Sequence, residues 1–201
     1  KFDVFYILKF DIKKYFYNID HGILLDKLSK YLDSKELFII KNILNMTNND
    51  YINKEIDFIN NNHNLSLPFY KKGKGLSIGN INSQMLAIFY LNEMDHYIKE
   101  VLGCKYYIRY MDDGIILDSD KERLKEIYEC LKDMISDYQL EFNNKTKIYK
   151  SNEGFEFLGI RYLIKDKRVY RRIKKCYLRK IFGKINDNNY KFYRNYFKYL
   201  R

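Results

Sequence analysis

Cysteine is sparse in this 201-residue chain: Cys104, Cys130 and Cys176 lie far apart, are odd in number and form no CxxC pair. That excludes a disulfide framework and a cysteine zinc site, and reads as reduced thiols of a cytoplasmic protein. Histidine is equally scarce, with His21, His63 and His96 scattered as structural or solvated residues. Proline occurs once, at Pro68, and neither an internal repeat nor a Pro/Gly/Ser-rich linker divides the chain. One sizeable core, with a small appended unit, is therefore expected. Long apolar runs are missing too. Lys, Asp or Asn interrupts every stretch before the roughly 18 residues that a membrane span needs. Lys9, Asp11, Lys13 and Lys14 break up residues 1–20, which excludes a signal-peptide layout. Acidic side chains are in deficit, 26 against 37 Lys plus Arg, for a formal net charge of +11. Such an excess favours a polyanionic partner, although an AT-rich genome would also enrich Lys, Asn, Ile and Tyr.

What is present is ordered. Residues 4–12, VFYILKFDI, form a near-continuous apolar run, expected as a buried strand with Asp11 at its exit. Helices are expected at about 21–32 and 34–46, and the Asn-rich stretch 47–64 reads as a mobile or peripheral loop. Pro68 precedes a basic, glycine-rich segment at 71–80. Leu86, Ala87, Tyr90, Leu91, Met94, Ile98 and Leu102 keep helical spacing, predicting one helix over about 83–102 with Asn82 as N-cap and Gly103 as its stop. Residues 120–138 carry a second stripe, Leu124, Ile127, Leu131, Ile135 and Tyr138. A strand near 146–150 follows, then a hairpin of 155–163 with 168–172 that turns at Lys165-Asp166-Lys167. The order implies an α+β domain, a mostly antiparallel sheet with helices packed on one face.

Arg109-Tyr110-Met111-Asp112-Asp113 lies between two β-prone runs, Tyr106-Tyr107-Ile108 and Ile115-Ile116-Leu117, and predicts a hairpin with both carboxylates at its tip. Adjacent carboxylates repel, so presenting them together suits a bound cation. Asp113-Gly114 is also an ordinary hairpin-turn dipeptide, and on this segment alone the two readings are equally open. Asp11 is the natural third member. One sheet can bring it to the same edge, where hard oxygen ligands favour Mg²⁺.

Five segments, FDIKKYFYNIDH at 10–21, GLSIGNINSQMLAIFYLNEMDHYIK at 75–99, YIRYMDDGIIL at 107–117, LEFNNKTKI at 140–148 and FEFLGIRY at 155–162, resemble the successive palm motifs of reverse transcriptases, in the family's order. The resemblance implies a right-hand polymerase palm and an RNA-directed DNA polymerase acting on dNTPs, an RNA template and a DNA or RNA primer, with no membrane partner. It implies a two-ion Mg²⁺ site, with Mn²⁺ as the alternative, on Asp11, Asp112 and Asp113, of which Asp113 is auxiliary. Residues 1–150 would be palm with part of the fingers at about 22–75, residues 151–172 a primer-grip hairpin, and residues 173–201 the basic helical start of a thumb. Phe16 matches the bulky residue that excludes a ribose 2′-hydroxyl, and Lys14 and Tyr15 the backbone and walls of the same sugar pocket. Lys145, or Lys147, matches the proton donor to pyrophosphate. Tyr110 and Met111 at the acidic hairpin, and Phe157, Leu158 and Gly159 at the primer grip, match template–primer contacts.

Within the family, Ile78-Gly79-Asn80-Ile81-Asn82-Ser83-Gln84 gives an IGxxxSQ pattern where most bacterial members have an initial Gln and a final Ser-Pro. The pattern resembles the reverse transcriptases of diversity-generating retroelements, which copy RNA with frequent errors opposite adenine and imply a basic accessory protein as partner. Ile78 and Gly79 would then lie beside the nucleotide and Gln84 beside the template. A phage-defence or other retroelement polymerase, and an inactive palm that only binds RNA, are the competing readings. Two departures stand out. Gly114 replaces a bulky apolar residue, predicting a less rigid hairpin. The chain also begins ten residues before Asp11, so the basic fingers segment and a complete thumb are expected to be missing. The tail, RRIKKCYLRK at 171–180 and YKFYRNYFKYLR at 190–201, interleaves cations with aromatics, as expected for a surface that neutralises phosphates and stacks on bases.

Overall fold

The first strand is apolar almost throughout because both of its faces are covered. In the computed structural model, β1 (Tyr6–Asp11) points Leu8 and Phe10 into the main core and Ile7 into a second one. Lys9 and Asp11 share the face of Ile7, since side chains alternate along a strand. Residues 5–45, 50–165, 168–173, 178–179, 182–186, 189–191 and 194 are described. Among them no helix is long and apolar enough to cross a membrane.

After β1 come α1 (Tyr15–Asn18), α2 (His21–Ser29), α3 (Ser34–Asn45), α4 (Asp50–His63), α5 (Ile81–Tyr90) and α6 (Asn92–His96). A π-helical turn (Tyr97–Val101) leads to β2 (Tyr106–Tyr110), β3 (Asp113–Asp118), α7 (Lys121–Asp137) and β4 (Lys147–Lys150). The four strands make one antiparallel sheet in the order β2-β3-β1-β4. Helices cover one face, burying Leu86, Ala87, Tyr90, Met94 and Ile98 with the predicted α7 stripe, Leu124, Ile127, Leu131, Ile135 and Tyr138. Asp120 starts α7 by accepting hydrogen bonds from the N–H groups of Glu122 and Arg123. On the other face Ile7 and Ile115 pack against Phe157 of a second antiparallel sheet, β5 (Phe155–Phe157), β6 (Ile160–Lys165) and β7 (Arg168–Ile173). This is the α+β architecture expected.

Several local expectations need correction. Residues 50–63 are helical, not a loop. Polar as it is, α4 has an apolar stripe in which Ile56 is buried, and Asn53 on that side both donates to and accepts from the Tyr70 backbone at 2.8 Å. The helix expected over 83–102 begins earlier and breaks at Leu91. Asn80, not Asn82, is its cap, accepting from the Asn82 N–H at 3.0 Å. The break and the π-helical turn keep Leu91, Met94 and Ile98 in the core while Asp95 faces β2. Past them, Gly103 stops the helical run with φ 60°. The hairpin expected over 155–172 is a three-stranded meander, because Leu158 and Gly159, at φ 48° and 78°, form a two-residue turn after Phe157. The turn residues 166–167, and most of the tail at 173–201, lie outside the described residues.

Candidate active site

Asp11 closes β1 and Asp113 opens β3, and the antiparallel register sets them directly opposite each other. Between β2 and β3 only Met111 and Asp112 remain, with Met111 at φ 55°. The turn is therefore Met111-Asp112. The alternative turn, Asp113-Gly114, is ruled out: Gly114 is inside β3, opposite Phe10 on one side and Arg109 on the other. The Asp112 carbonyl accepts from the Ile12 N–H at 3.1 Å, and the Asp11 carbonyl from the Asn143 N–H at 2.7 Å. These bonds tie the hairpin tip to the end of β1 and to the loop before β4.

The carboxyl groups of Asp11 and Asp112 lie within hydrogen-bonding reach of each other. Burial, then the charge of Asp113, raises Asp11 above the ordinary carboxylate range, against hydrogen bonds from Asn143 and Asp112. Burial also leads the rise at Asp112, with repulsion from Asp11 and Asp113 adding to it. Asp113 is differently placed: Lys9 Nζ is 3.3 Å from its Oδ1, with both side chains largely covered. Among the described residues no group of three or more His, Cys, Asp or Glu side chains could hold a metal ion. The donors that meet are a pair, with Asp113 drawn to Lys9. Two hard carboxylates whose ionised forms repel each other nevertheless fit Mg²⁺, which takes one or two carboxylates and completes its shell with water and phosphate.

A network absent from the sequence reading holds the hairpin in place. Arg109, its side chain 5% exposed, makes a two-pronged ion pair with Asp95 and donates to the Met111 carbonyl at 2.7 Å and the Ile88 carbonyl at 3.2 Å. Tyr107 donates to the same Asp95 at 2.6 Å. One buried guanidinium thus fixes the turn residue next to Asp112 to two helices. The only signal in sequence was an acidic residue in the helix preceding an Arg two places before Met111. Gly114 also differs from expectation. A Cβ there would fall 2.1 Å from Phe10 Cζ, so the fully buried Phe10 ring occupies the space that a bulkier residue would take. The hairpin is packed there, not loosened.

The remaining candidates fall on separate walls. Lys14 has φ 50° and an exposed side chain, while Tyr15 is buried and its hydroxyl donates to the Ala87 carbonyl. Phe16 is half-buried, edge-on to Tyr15 at 5.8 Å. The Leu76 N–H donates to the Phe16 carbonyl at 2.7 Å and the Gly75 N–H to the Ile19 carbonyl at 2.8 Å, which ties the segment leading to Ile78 onto α1. Ile78 is exposed, Gly79 turns at φ 98°, and the Ser77 and Ser83 hydroxyls, 3.3 Å apart, close the loop ahead of the exposed Gln84. Tyr110 is exposed at the end of β2. Lys145 lies away from α1, in a cleft of about 500 Å³ with Lys9, Lys147 and Arg161 between the two sheets. Phe157 is buried between the sheets, whereas Leu158 is exposed and Gly159 partly so, at the turn.

An antiparallel sheet backed by helices, with acidic residues at the tip of its β2–β3 hairpin, is the fold of a nucleic-acid polymerase palm. The chain belongs to the reverse transcriptase (RNA-dependent DNA polymerase) family, whose model matches residues 4–162. No curated protein matches it. Among solved structures it is similar to apo telomerase from Candida tropicalis truncated from its C-terminal domain, with TM-score 0.58 and 16% identity over 86% of this chain and 36% of that one. It is also similar to telomerase from Candida albicans in complex with a fragment of telomeric RNA, with TM-score 0.57 and 13% identity over 85% and 30% of the two chains. At such identities the likeness is one of fold, and this chain spans about a third of the length of those proteins.

Proposed function

We propose that this chain is the catalytic palm of an RNA-directed DNA polymerase, adding deoxynucleotides to a primer 3′-hydroxyl on an RNA template. The observation that carries the reading is the register that sets Asp11 against Asp113, with Asp112 in the two-residue turn between β2 and β3. Asp11 and Asp112 would hold two Mg²⁺ or Mn²⁺ ions, which supply positive charge to a primer oxyanion and to the departing pyrophosphate. Asp113, held by Lys9, would act from beside that pair. Phe16 would wall the sugar pocket, where an aromatic ring leaves no volume for a 2′-hydroxyl. Tyr110 and the Leu158-Gly159 turn, exposed on the strand end and the second sheet, would face the primer. Lys145 would donate a proton to pyrophosphate.

The finer reading is a diversity-generating enzyme. Ile78 offers only apolar contact where an amide could hydrogen-bond near nucleotide and template, so discrimination there would loosen. The test of the main reading is extension of a DNA primer on an RNA template, with Mg²⁺, by the full reading frame beside its Asp112→Asn variant. Extension is expected from the first alone, and equal incorporation by both would refute the assignment. For the finer reading, Ile78→Gln should lower misincorporation opposite template adenine; an unchanged error spectrum would remove Ile78 as its cause.

A further inference from the structure

Lys9 is the one charged residue of β1 ahead of Asp11, and the polymerase reading gives it no task. Its stem lies on the face of Ile7 and opposite Ile115, both buried. Two neighbours direct its head. On the β4 side it is in register with Lys147, and like charges directly opposed on a sheet repel. Lys147 Nζ sits instead over the Tyr149 ring, 5.5 Å from its centre, and Lys145 and Arg161 add positive charge to the same cleft. On the β3 side Asp113 lies two residues from Ile115, at the diagonal position that a long side chain reaches. Lys9 Nζ is accordingly 3.3 Å from Asp113 Oδ1, with the side chains 21% and 27% exposed. Water screens such a pair less than one at the open surface.

The pairing decides how many carboxylates a cation meets. Asp11 and Asp112 are within reach of each other, and Asp113, opposite Asp11 in register, is drawn to Lys9. We infer that Lys9 is a positioning residue that keeps Asp113 out of the cation shell, and so sets the affinity and ion preference of the acidic edge. The inference rests on the reading of Asp11 and Asp112 as the metal-holding pair. Two carboxylates suit Mg²⁺, which fills its shell with water and phosphate. Released from Lys9, Asp113 would join as a third. The site would then carry one more negative charge and favour Ca²⁺, which collects more oxygen ligands than Mg²⁺.

Mn²⁺ is the probe, titrated into the full chain without nucleotide or nucleic acid and followed by electron paramagnetic resonance. Lys9→Met should tighten Mn²⁺ binding by at least about tenfold, and Ca²⁺ should compete better than in the unaltered chain. Lys9→Arg, which keeps the charge and the reach, should keep both native values. In an Asp113→Asn background the gain from Lys9→Met should shrink to about threefold or less. Equal gains in the two backgrounds would reduce Lys9 to a distant charge and overturn the inference. Unchanged affinity in Lys9→Met, or Mn²⁺ binding that Asp112→Asn leaves intact, would overturn it too. Melting temperature in EDTA checks folding, and Lys9→Gln takes the place of Lys9→Met if the latter folds poorly. The expected Mn²⁺ pattern without primer extension counts against the polymerase reading alone. Extension that Asp112→Asn abolishes, with Mn²⁺ affinity indifferent to Lys9, overturns this inference alone.

Discussion

Gly114 and Phe10 form one packing unit beside the Asp11, Asp112 and Asp113 carboxylates, and substituting either should be corrected in part by substituting the other. A Cβ at Gly114 would meet Phe10 Cζ at 2.1 Å, Cε2 at 2.4 Å and Cε1 at 2.7 Å. Carbon atoms pack at about 3.5–4.0 Å, so the ring would have to retreat by about 1.5 Å. It has nowhere to go: Phe10 is fully buried and stands edge-on to Phe142 at 5.4 Å, and β1 and β3 hold the two backbones in register. Gly114→Ala should therefore cost about 2 kcal/mol, the usual range for overpacking, even though alanine suits a strand better than glycine. Phe10→Leu, which shortens the ring, should cost about 1–2 kcal/mol by leaving a void.

Together the two changes should cost at least about 1 kcal/mol less than their sum, since the new methyl fills space the ring vacates. In a domain of this size about 1 kcal/mol moves the melting temperature by about 2–4 °C, within reach of thermal denaturation followed by circular dichroism. Primer extension should follow the same pattern, because Phe10 precedes Asp11 and Gly114 follows Asp113. Additivity within about 0.5 kcal/mol would refute the argument that the ring replaces the missing side chain.

Other expectations follow from the same structure. Asp112→Asn should stabilise the metal-free protein while abolishing extension. A carboxyl raised in the folded state costs stability as pH climbs above its ordinary value, and removing its charge should recover that cost at pH 7, read as a higher melting temperature without Mg²⁺. Arg109→Lys should cost about 2–3 kcal/mol in urea denaturation, because an ammonium cannot reproduce the fork to Asp95 and the reach to Met111. Glu93 accepts from Lys27 at 2.6 Å and Lys30 at 3.1 Å, which hold it below the ordinary glutamate value. Its contribution is present above pH 4.5 and should be lost as pH falls through the lower folded value. Melting curves of Glu93→Gln and the unaltered protein should therefore converge in acid, and a constant difference across that window would refute the assignment.

The acidic edge was legible because it is local. Asp11 ends a hydrophobic run, and Asp112 and Asp113 interrupt another, so strand periodicity alone assigns all three to strand ends. Whether the ends meet depends on register, and register follows from which residues must be buried. One slip of β1 against β3 would send Leu8 and Phe10 to the face of Ile7 and carry Asp11 away from Asp113. Hydrophobic patterning thus selects the geometry of the acidic edge without any contribution from the carboxylates themselves.

What stayed hidden depends on groups that sequence order separates. α4 looked like a loop because its Asn residues outweigh one buried isoleucine, and the paired bonds between the Asn53 amide and the Tyr70 backbone have no periodic signature. Lys9 looked like an interruption of an apolar strand. Its position two residues before Asp11 puts it on the same face, where it engages Asp113 and leaves Asp11 and Asp112 as the pair. The cost of burying two carboxylates is offset in part by Asn143 at Asp11, and the backbone bonds of Asp112 and Asp11 hold them together despite their repulsion. Folding energy from the cores of Leu8 and Ile7 therefore sustains an unfavourable charge pair at the sheet edge. That is the physical condition for a cation site: the protein supplies the repulsion, and a divalent ion would relieve it.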